Sequence, residues 1–280
     1  MTVLPVRARR APAALVAGGT LAAALVVLAV VAPLLPLPDP NAGDLTARLL
    51  PLGTPGHPLG TDGQGRDLLA RLVVGTRPSL IAGIVPVLVS GALGTALGIA
   101  AGMGARALEN LIMRSLDVLF AFPSVLLAIA IAASLGASLA SLVVALSVIL
   151  VPAVARVVYA ETAGLRSLDF VQTARASGAP AAVIALRHVL PNVLPAVAVY
   201  CSALVGLSIV VGAGLSFLGL GVAPPQAEWG AMLNDLRQNL FSNPSLALAP
   251  AIAIFLASAV FNVLGEGLRA WFDVTSRWSQ

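Results

Sequence analysis

The chain has 280 residues, of which 59% are hydrophobic and only 10% charged, and its mean hydropathy is +0.98. This composition excludes an ordinary water-soluble domain, in which about half of the residues are apolar. All 16 basic residues are arginines, set against 12 acids, and they lie at the ends of apolar runs rather than in a stripe, which argues against a nucleic-acid-binding protein.

The first apolar run predicts a membrane span near residues 13–35. Because it follows Arg7, Arg9 and Arg10, a cleaved signal peptide is the rival interpretation. The run is longer than the apolar core of about 7 to 15 residues in such a peptide, and the later spans need no separate secretion signal. We therefore expect a cytoplasmic amino terminus at residues 1–12, followed by a retained anchor.

Residues 36–78 are expected to form an external loop with a polar motif. The spacing of Asp62, Arg66 and Asp67 favours local helix capping and ion pairing. His57 and Asp62 could instead be metal ligands, although a lone histidine in a Gly/Pro-rich loop is more often structural. The candidate residues of this external motif are His57, Gly60, Thr61, Asp62, Gly65, Arg66 and Asp67.

Further apolar runs predict a helical core over residues 79–267. A run from Val118 to Ala155 is too long for one span, and Leu135 to Ser138 offers a turn that divides it. An irregular segment is expected after the fifth span, where LGLGVAPPQ is rich in Gly and Pro. The five core spans are expected near residues 79–103, 117–136, 139–158, 193–214 and 246–267.

Two features of the core have alternative interpretations. Gly91, Gly94, Gly98 and Gly102 recur at helical spacing in the second span, which indicates close helix packing and, secondarily, a pathway lining. Trp229 is interpreted as an interfacial anchor in preference to a cargo contact. The single cysteine, Cys201, excludes an internal disulfide and is expected to be a small apolar filler.

The distribution of arginines predicts the orientation. With the amino terminus inside, eleven of the 16 arginines lie on the cytoplasmic side, and only Arg48, Arg66, Arg71, Arg77 and Arg237 lie outside. Both termini are then cytoplasmic, the carboxyl one comprising residues 268–280. The predicted spans have no charge at their centres, which disfavours proton-coupled transport and intramembrane hydrolysis.

A cytoplasmic loop at residues 159–192 is far longer than a hairpin needs. Asp169 and Gln172 have the spacing of a capping box, and Gly178 is placed to end a short helix in a left-handed conformation. Pro180 can begin a second short helix, which Pro191 is expected to stop. We expect the apolar residues Phe170, Val171 and Ala174 to form one face that docks into a groove of a partner.

The loop also carries a family resemblance. Its pattern Gln172-Thr173-Ala174, then Gly178, then Leu190-Pro191, resembles the E-A-A, G, L-P signature of permeases of ATP-binding-cassette importers, although Gln172 stands for the usual Glu and Thr173 for Ala. In that class the loop is a coupling helix seated in a cleft of the cytoplasmic ATPase. The resemblance implies an ATPase-coupling role for Asp169, Phe170, Gln172, Thr173, Ala174, Arg175, Gly178, Arg187, Leu190 and Pro191.

Longer stretches narrow the resemblance to the dipeptide, oligopeptide and nickel importers. Residues 57–80 are similar to the segment before the second span in that family. Residues 215–233 and 262–273 are similar to the carboxy-terminal half of the second of its two permease subunits. The family commonly has an acid just before the LSFLGLG stretch, where this chain has Gly212-Ala213-Gly214.

The resemblance implies an all-α, six-span importer permease of the MetI-like fold in the bacterial inner membrane, which itself catalyses no reaction. The implied partners are a homologous second permease, two cytoplasmic ATPase subunits that bind ATP and Mg²⁺, an external solute-binding protein and membrane lipid, but no nucleic acid. No cofactor is implied for this chain, which has no phosphate-binding loop of its own. Peptides or nickel are the implied cargo. An ATPase-independent channel or a scaffolding membrane protein is the alternative.

Overall fold

The computed structural model describes residues 11–241 and 243–272, and within these ranges the chain is helical without a β-strand. This confirms the all-α fold class. The predictions made for Arg7, Arg9, Arg10 and Arg277, and for the ends of both termini, lie outside the described residues. The helices are α1 (Ala13–Val31), α2 (Leu68–Met103), α3 (Arg106–Phe120), α4 (Ser124–Leu135), α5 (Leu139–Arg166), α6 (Asp169–Ala176), α7 (Ala181–Ile184), α8 (Leu190–Phe217), α9 (Trp229–Leu236) and α10 (Pro244–Phe272).

Five helical segments of the described chain are long and apolar enough to cross a membrane. The first, Ala13–Leu34, nearly matches its predicted span. The other four are longer than predicted, because their helices continue beyond the apolar stretch that the sequence marks. Helix α2 has 36 residues and begins at Leu68, where Asp67 caps its amino terminus. At 1.5 Å per residue it is about 54 Å long, well beyond the roughly 30 Å of a bilayer's hydrocarbon core. Residues 68–78, predicted as loop, are therefore helical.

The predicted third span, residues 117–136, is not a single helix. Helices α3 and α4 meet at an 86° bend around Pro123, since proline cannot continue the hydrogen-bond ladder of α3. Helix α4 has only 12 residues, about 18 Å, and cannot cross the bilayer alone. The turn expected at Leu135 to Ser138 is present, with Gly136 at a φ of +84°.

The helix directions follow from close glycine contacts. A Cβ added at Gly94 would meet Val154 and one at Gly102 would meet Thr162, so α2 and α5 run parallel. Helix α8 is antiparallel to both α2 and α10, whereas α1 is antiparallel to α10. Since α2 and α5 start at the same end of the bundle, the α3–α4 segment must return the chain between them. Within the described ranges, the chain thus runs from one end of the bundle to the other six times, and one of these runs, α3–α4, is broken by the bend.

We name the two ends of the bundle the terminal end and the opposite end, according to the segments that they contain. The terminal end holds the start of α1 and the last turns of α10, which pack together where Gly267 approaches Leu15. It also holds α6 and α7. The opposite end holds residues 36–67, the turn after α4, and the irregular segment 218–228 that leads into α9. Each end carries one of the two predicted motifs.

Close packing of α2 on α5 forms the centre of the fold. A Cβ at Gly98 would lie 2.6 Å from Cβ of Val158 and 2.7 Å from the carbonyl oxygen of Ala155. Only glycine permits this approach, so the structure confirms the packing interpretation of the glycine row. Around this pair, the buried core continues through Leu80, Leu150, Val154, Val193, Leu204, Ile209 and Phe261.

Candidate functional site

At the terminal end, α6 is a separate eight-residue helix between α5 and α7. The extended Leu168 breaks the helical path after α5, and its carbonyl accepts from the amides of Val171 and Gln172 to begin α6. Asp169 lies in the first turn and Arg175 in the last. These charges complement the helix dipole, so each end of the short helix is stabilised.

The predicted capping box is wrong. Leu168, not Asp169, is the amino-terminal cap residue, and no side chain caps the helix. Gln172 instead donates from Nε2 to the carbonyl oxygen of Arg166 at 2.8 Å. That carbonyl belongs to the last turn of α5, where it has no partner within the helix. Gln172 therefore ties α6 to the end of α5.

Gly178 ends α6 in the predicted left-handed conformation, with a φ of +78°. The amide of Ala179 donates to the carbonyl of Ala174 at 3.1 Å, which closes the helix end as in a Schellman motif. No atom lies within 4 Å of a Cβ built on Gly178. Glycine is therefore required at this position by the backbone conformation and not by a lack of space for a side chain. Pro180 then caps α7, close to its predicted position.

The predicted apolar docking face divides between two environments. Val171 is fully buried and Ala174 packs against the main core, so both fasten α6 to its own chain. Phe170 is 40% exposed, and its ring lies 6.4 Å from that of His188. The exposed side chains that a partner could reach on α6 are Asp169, Phe170, Gln172, Thr173, Arg175 and Ala176.

Pro191 does not stop the second short helix, contrary to prediction. Helix α7 passes through a π-helical turn, Ala185–Val189, directly into α8. The wider turn accommodates a proline that cannot donate to the preceding turn and would collide with it. The result is a continuous 37-residue rod, Ala181–Phe217. It carries Arg187 exposed and Leu190 half-buried.

The rod borders a large apolar groove. Between α2 and the α7–α8 rod lies a cavity of about 760 Å³, whose lining includes Gly91, Thr95, Leu186, Leu190 and Cys201. A Cβ at Gly91 would contact Sγ of Cys201 at 3.3 Å, so the two helices touch at the floor of the groove. Cys201 is a half-buried free thiol, in agreement with its predicted role as an apolar filler.

At the opposite end, the external motif forms a buried ion-pair cluster. Arg66 and Asp62 are each about 2% exposed, and Nε of Arg66 donates to Oδ2 of Asp62 at 2.6 Å. The same guanidinium donates to Asp235 of α9 at 2.7 Å. Asp62 also accepts from the backbone amides of Gln64 and Arg66, which holds the loop in a tight turn. The motif therefore joins residues 57–67 to α9.

Arg71 completes this cluster, although the sequence alone did not identify it. Its guanidinium is 1% exposed and donates to the carbonyls of Pro40 and Pro225 at 3.0 and 3.2 Å. It also lies 3.5 Å from Asp62 and 3.4 Å from Asp235. One side chain thus connects the loop after α1, the external motif, the irregular segment after α8, and α9. The sequence feature that could have identified Arg71 is its position one helical turn after Asp67, the cap of α2, which places the two residues on the same face of the helix.

The remaining motif residues shape the turn. Asp67 accepts from the amide of Ala70 as the cap of α2 and is hydrogen-bonded to Nδ1 of His57 at 2.8 Å. Thr61 is buried and bridges Ala47 and Leu50, whereas Gly60 and Gly65 both have a φ of +75°. The geometry supports the capping and ion-pairing interpretation. The described residues contain no cluster of three or more His, Cys, Asp or Glu suited to a metal ion.

At the exposed rim of this end, residues 44–46 fasten the loop. Hydrogen bonds from the hydroxyl and amide of Thr46 lower the pKa of Asp44 below its usual value. The amide of Asp44 donates to the carbonyl of Gly65. A Cβ at Gly65 would overlap the Asp44 backbone, so glycine is required there for two reasons.

Trp229 is neither an interfacial anchor nor an exposed cargo contact. It is 3% exposed, and its indole nitrogen donates to the carbonyl of Leu72 at 3.0 Å. Next to it, the buried carboxylate of Glu228 caps α9 by accepting from Gly230 and Ala231, and it also accepts from the hydroxyl of Ser79. These contacts fasten α9 to α2, which the sequence did not indicate.

Residues 212–214, where the resembled family commonly has an acidic residue, are closely packed in part in this chain. Gly212 and Ala213 are buried, and a Cβ at Gly212 would already contact Leu146 and Ala82. Gly214 is exposed instead. An acidic side chain at residue 212 or 213 would be buried against apolar neighbours in this arrangement.

Comparisons with known proteins agree with this architecture. The family described as "Binding-protein-dependent transport system inner membrane component" matches residues 94–277. The chain is 46% identical over 217 residues to the glutathione transport system permease protein GsiD of Pectobacterium atrosepticum, covering 78% of this chain and 72% of the relative. It is 45% identical over 217 residues, with the same coverage of both chains, to GsiD of Escherichia coli O157:H7.

A solved structure shares the fold. A chain of the inward-facing MetNI methionine ABC transporter superposes with a TM-score of 0.60 at 17% identity. The match covers 74% of this chain and 98% of the other. At this identity the similarity concerns the fold alone, and it confirms the expected MetI-like architecture.

Proposed function

We propose, from the premise that the chain belongs to the family of binding-protein-dependent transport system inner membrane components, that it carries a short peptide of the size of glutathione. Membership makes the chain a multi-pass inner-membrane permease subunit of an ATP-binding-cassette importer. It is a transport subunit and not an enzyme, because ATP hydrolysis takes place on separate subunits in this class.

The cargo proposal rests on the relatives. Several proteins named as glutathione transport permeases are 45% to 46% identical to this chain over most of its length. Glutathione is a tripeptide, so it falls within the peptide class that the sequence resemblance implied. This evidence favours peptides over nickel, for which no similar support exists among these relatives.

We assign ATPase coupling to α6. Its exposed residues Phe170, Gln172 and Thr173 are available to a partner, whereas Val171 anchors the helix from below. A force applied to α6 passes through the closed turn at Gly178 into α7, and from there along the 37-residue rod. The rod borders the groove against α2, so its displacement would widen or narrow this space. That continuity is the observation that carries the coupling proposal.

The orientation follows the positive-inside rule. Among the described residues, the terminal end carries seven arginines and the opposite end five, of which Arg66 and Arg71 are neutralised in the buried cluster. We therefore place the terminal end in the cytoplasm. This puts α6 where an ATPase can reach it. The ion-pair cluster then lies outside, on the side from which a solute-binding protein would approach.

In the proposed mechanism of alternating access, closure of two ATPase subunits on ATP moves α6 on this chain and its counterpart on a homologous permease. The movement tilts the rods and opens the pathway to one side at a time. The spans of this chain supply no ionisable relay at their centres, so in this mechanism the energy of transport comes from the ATPases and enters through α6 and its counterpart.

The test begins with the tagged chain purified from native membranes. We expect a nucleotide-binding subunit and a second permease to copurify, and we expect the complex in proteoliposomes to hydrolyse ATP faster with its solute-binding protein and glutathione. A dipeptide and a nickel chelate, assayed in parallel, test the cargo class. Recovery of the chain without any ATPase, together with ATP-independent flux, would favour the channel or scaffold alternative instead.

A further inference from the structure

Helix α3 has three distinct faces, although only Leu116 of its residues is fully buried. At 100° per residue, Glu109, Ile112 and Leu116 face the protein. The second face carries Arg106, Asn110, Arg114 and Asp117, all exposed. The third is apolar and equally open, with Leu108, Leu111 and Val118 at 44%, 66% and 61% exposure.

Contacts with α5 place this helix across the bundle. Arg156 donates to Asp117 at 2.6 Å, and the hydroxyl of Tyr159 donates to Glu109. The partners on α3 are eight residues apart, about 12 Å, whereas those on α5 are three residues apart, about 4.5 Å. Helix α3 therefore crosses α5 steeply, in keeping with the 86° bend before α4.

These contacts also set the depth of α3. Leu139, the first residue of α5, lines a cavity at the opposite end together with Asn41 and Gln226. Arg156 and Tyr159 lie about 26 Å and 30 Å further along α5, a distance that matches the thickness of the hydrocarbon core. Helix α3 thus lies at the membrane boundary of the terminal end.

The outward charge of α3 is positive. Its two acids are engaged by α5, and the guanidinium of Arg156 also lies 4.3 Å above the ring of Phe120. Arg106 and Arg114 form no ion pair among the residues that the structure describes. A helix with an apolar face beside unpaired arginines is suited to the surface of an anionic bilayer.

We infer that α3 is an in-plane helix that binds anionic phospholipid of the cytoplasmic leaflet, with Arg106 and Arg114 at the headgroups and Leu111 and Val118 among the acyl chains. This inference depends on the orientation proposed above. It assigns the first part of the broken pass to the lipid surface. Of this broken pass, the bend and α4 then lie within the bilayer.

The first experiment measures the environment of single spin labels in the assembled transporter. In a Cys201→Ser background, a label is placed at residue 106, 110, 111 or 118, and the transporter is reconstituted in phosphatidylglycerol vesicles. For each label we compare relaxation by oxygen with relaxation by a water-soluble nickel chelate. We expect the ratio of oxygen relaxation to chelate relaxation to be severalfold higher at 111 and 118 than at 106 and 110. Equal exposure of all four to the chelate would overturn the inference. So would exclusion of both reagents at 111 and 118, since that outcome would mean that a protein covers this face.

The second experiment tests the headgroup contact. Near an anionic surface each arginine contributes about fivefold to lipid preference. We expect R106Q and R114Q each to reduce retention of phosphatidylglycerol over phosphatidylcholine by the purified complex by that factor. The matched control R237Q, an exposed arginine at the opposite end, should have no such effect. Unchanged lipid preference in both α3 variants would refute the headgroup assignment. Copurification of an ATPase with the unmodified chain tests the proposed function separately. If the unmodified chain is purified without an ATPase, that result counts against the proposed function and not against this inference.

Discussion

Replacement of Gly178 by valine is expected to uncouple transport without unfolding the protein. The residue has a φ of +78° at the end of α6, where a side chain costs roughly 1 to 2 kcal/mol. No atom lies within 4 Å of the added Cβ, so this conformational cost is not increased by a clash. A cost of this size lowers the ratio of the native turn to other turns by roughly 5- to 30-fold.

Gly136 provides a matched control. It has a φ of +84°, also has no atom within 4 Å of an added Cβ, and lies in the turn between α4 and α5 at the other end of the bundle. Its ψ of 158° lies outside the left-handed helical region, in a conformation that essentially only glycine adopts, so G136V should incur a conformational cost at least as large, far from α6. We expect uptake to fall about tenfold or more in G178V, whereas G136V should keep most of its transport.

The assay is uptake of labelled cargo at equal membrane levels of each variant, combined with ATPase copurification. G178N should recover much of the activity, because asparagine tolerates the left-handed conformation better than valine does. Normal uptake in G178V at normal expression would refute the coupling assignment. An equal loss in G136V would show that strain in general, and not the position on α6, causes the defect.

Three further substitutions test the packing that holds the site. R71A should lower the stability of the detergent-purified protein by about 1 to 3 kcal/mol, because the carbonyls of Pro40 and Pro225 lose their donor, while Arg66 still pairs with both carboxylates of the cluster. R237A, at an exposed arginine, should leave the melting temperature nearly unchanged. G98A should destabilise the protein by about 1 to 3 kcal/mol through overlap with α5, whereas G19A, which has open space around its Cβ, should not. E228Q should cost about 1 to 3 kcal/mol, since the amide group cannot accept all the hydrogen bonds that the carboxylate accepts. A melting temperature of R71A, G98A or E228Q equal to that of the parent would contradict the corresponding contact.

The sequence predicted those features that depend on local chemistry. Apolar runs located five of the passes, and the family resemblance gave the fold and the importer class. Gly178 was correctly identified because a glycine after a short amphipathic segment is a strong signal for a left-handed helix end. The glycine row in α2 likewise indicated close packing, since few other causes place small residues at that spacing.

Other features depended on tertiary contacts that no local pattern reveals. The bend at Pro123 was missed because the apolar run continues on both sides of it. Pro191 was expected to stop a helix, but a π-helical turn accommodates it. Gln172 has the spacing of a capping residue and instead binds the end of α5. The role of Arg71 required the loop after α1, the external motif and α9 to be brought together.

Contact between α6 and the ATPase is tested most directly by cross-linking from the exposed surface of α6. In a Cys201→Ser background, Thr173→Cys is labelled with a short photoactivatable thiol reagent in the assembled complex. Thr46→Cys, exposed at the opposite end, serves as the control. We predict a cross-link from residue 173 to the ATPase subunit and none from residue 46. An active complex in which residue 173 gives no ATPase cross-link, or in which residue 46 gives one, would contradict the account.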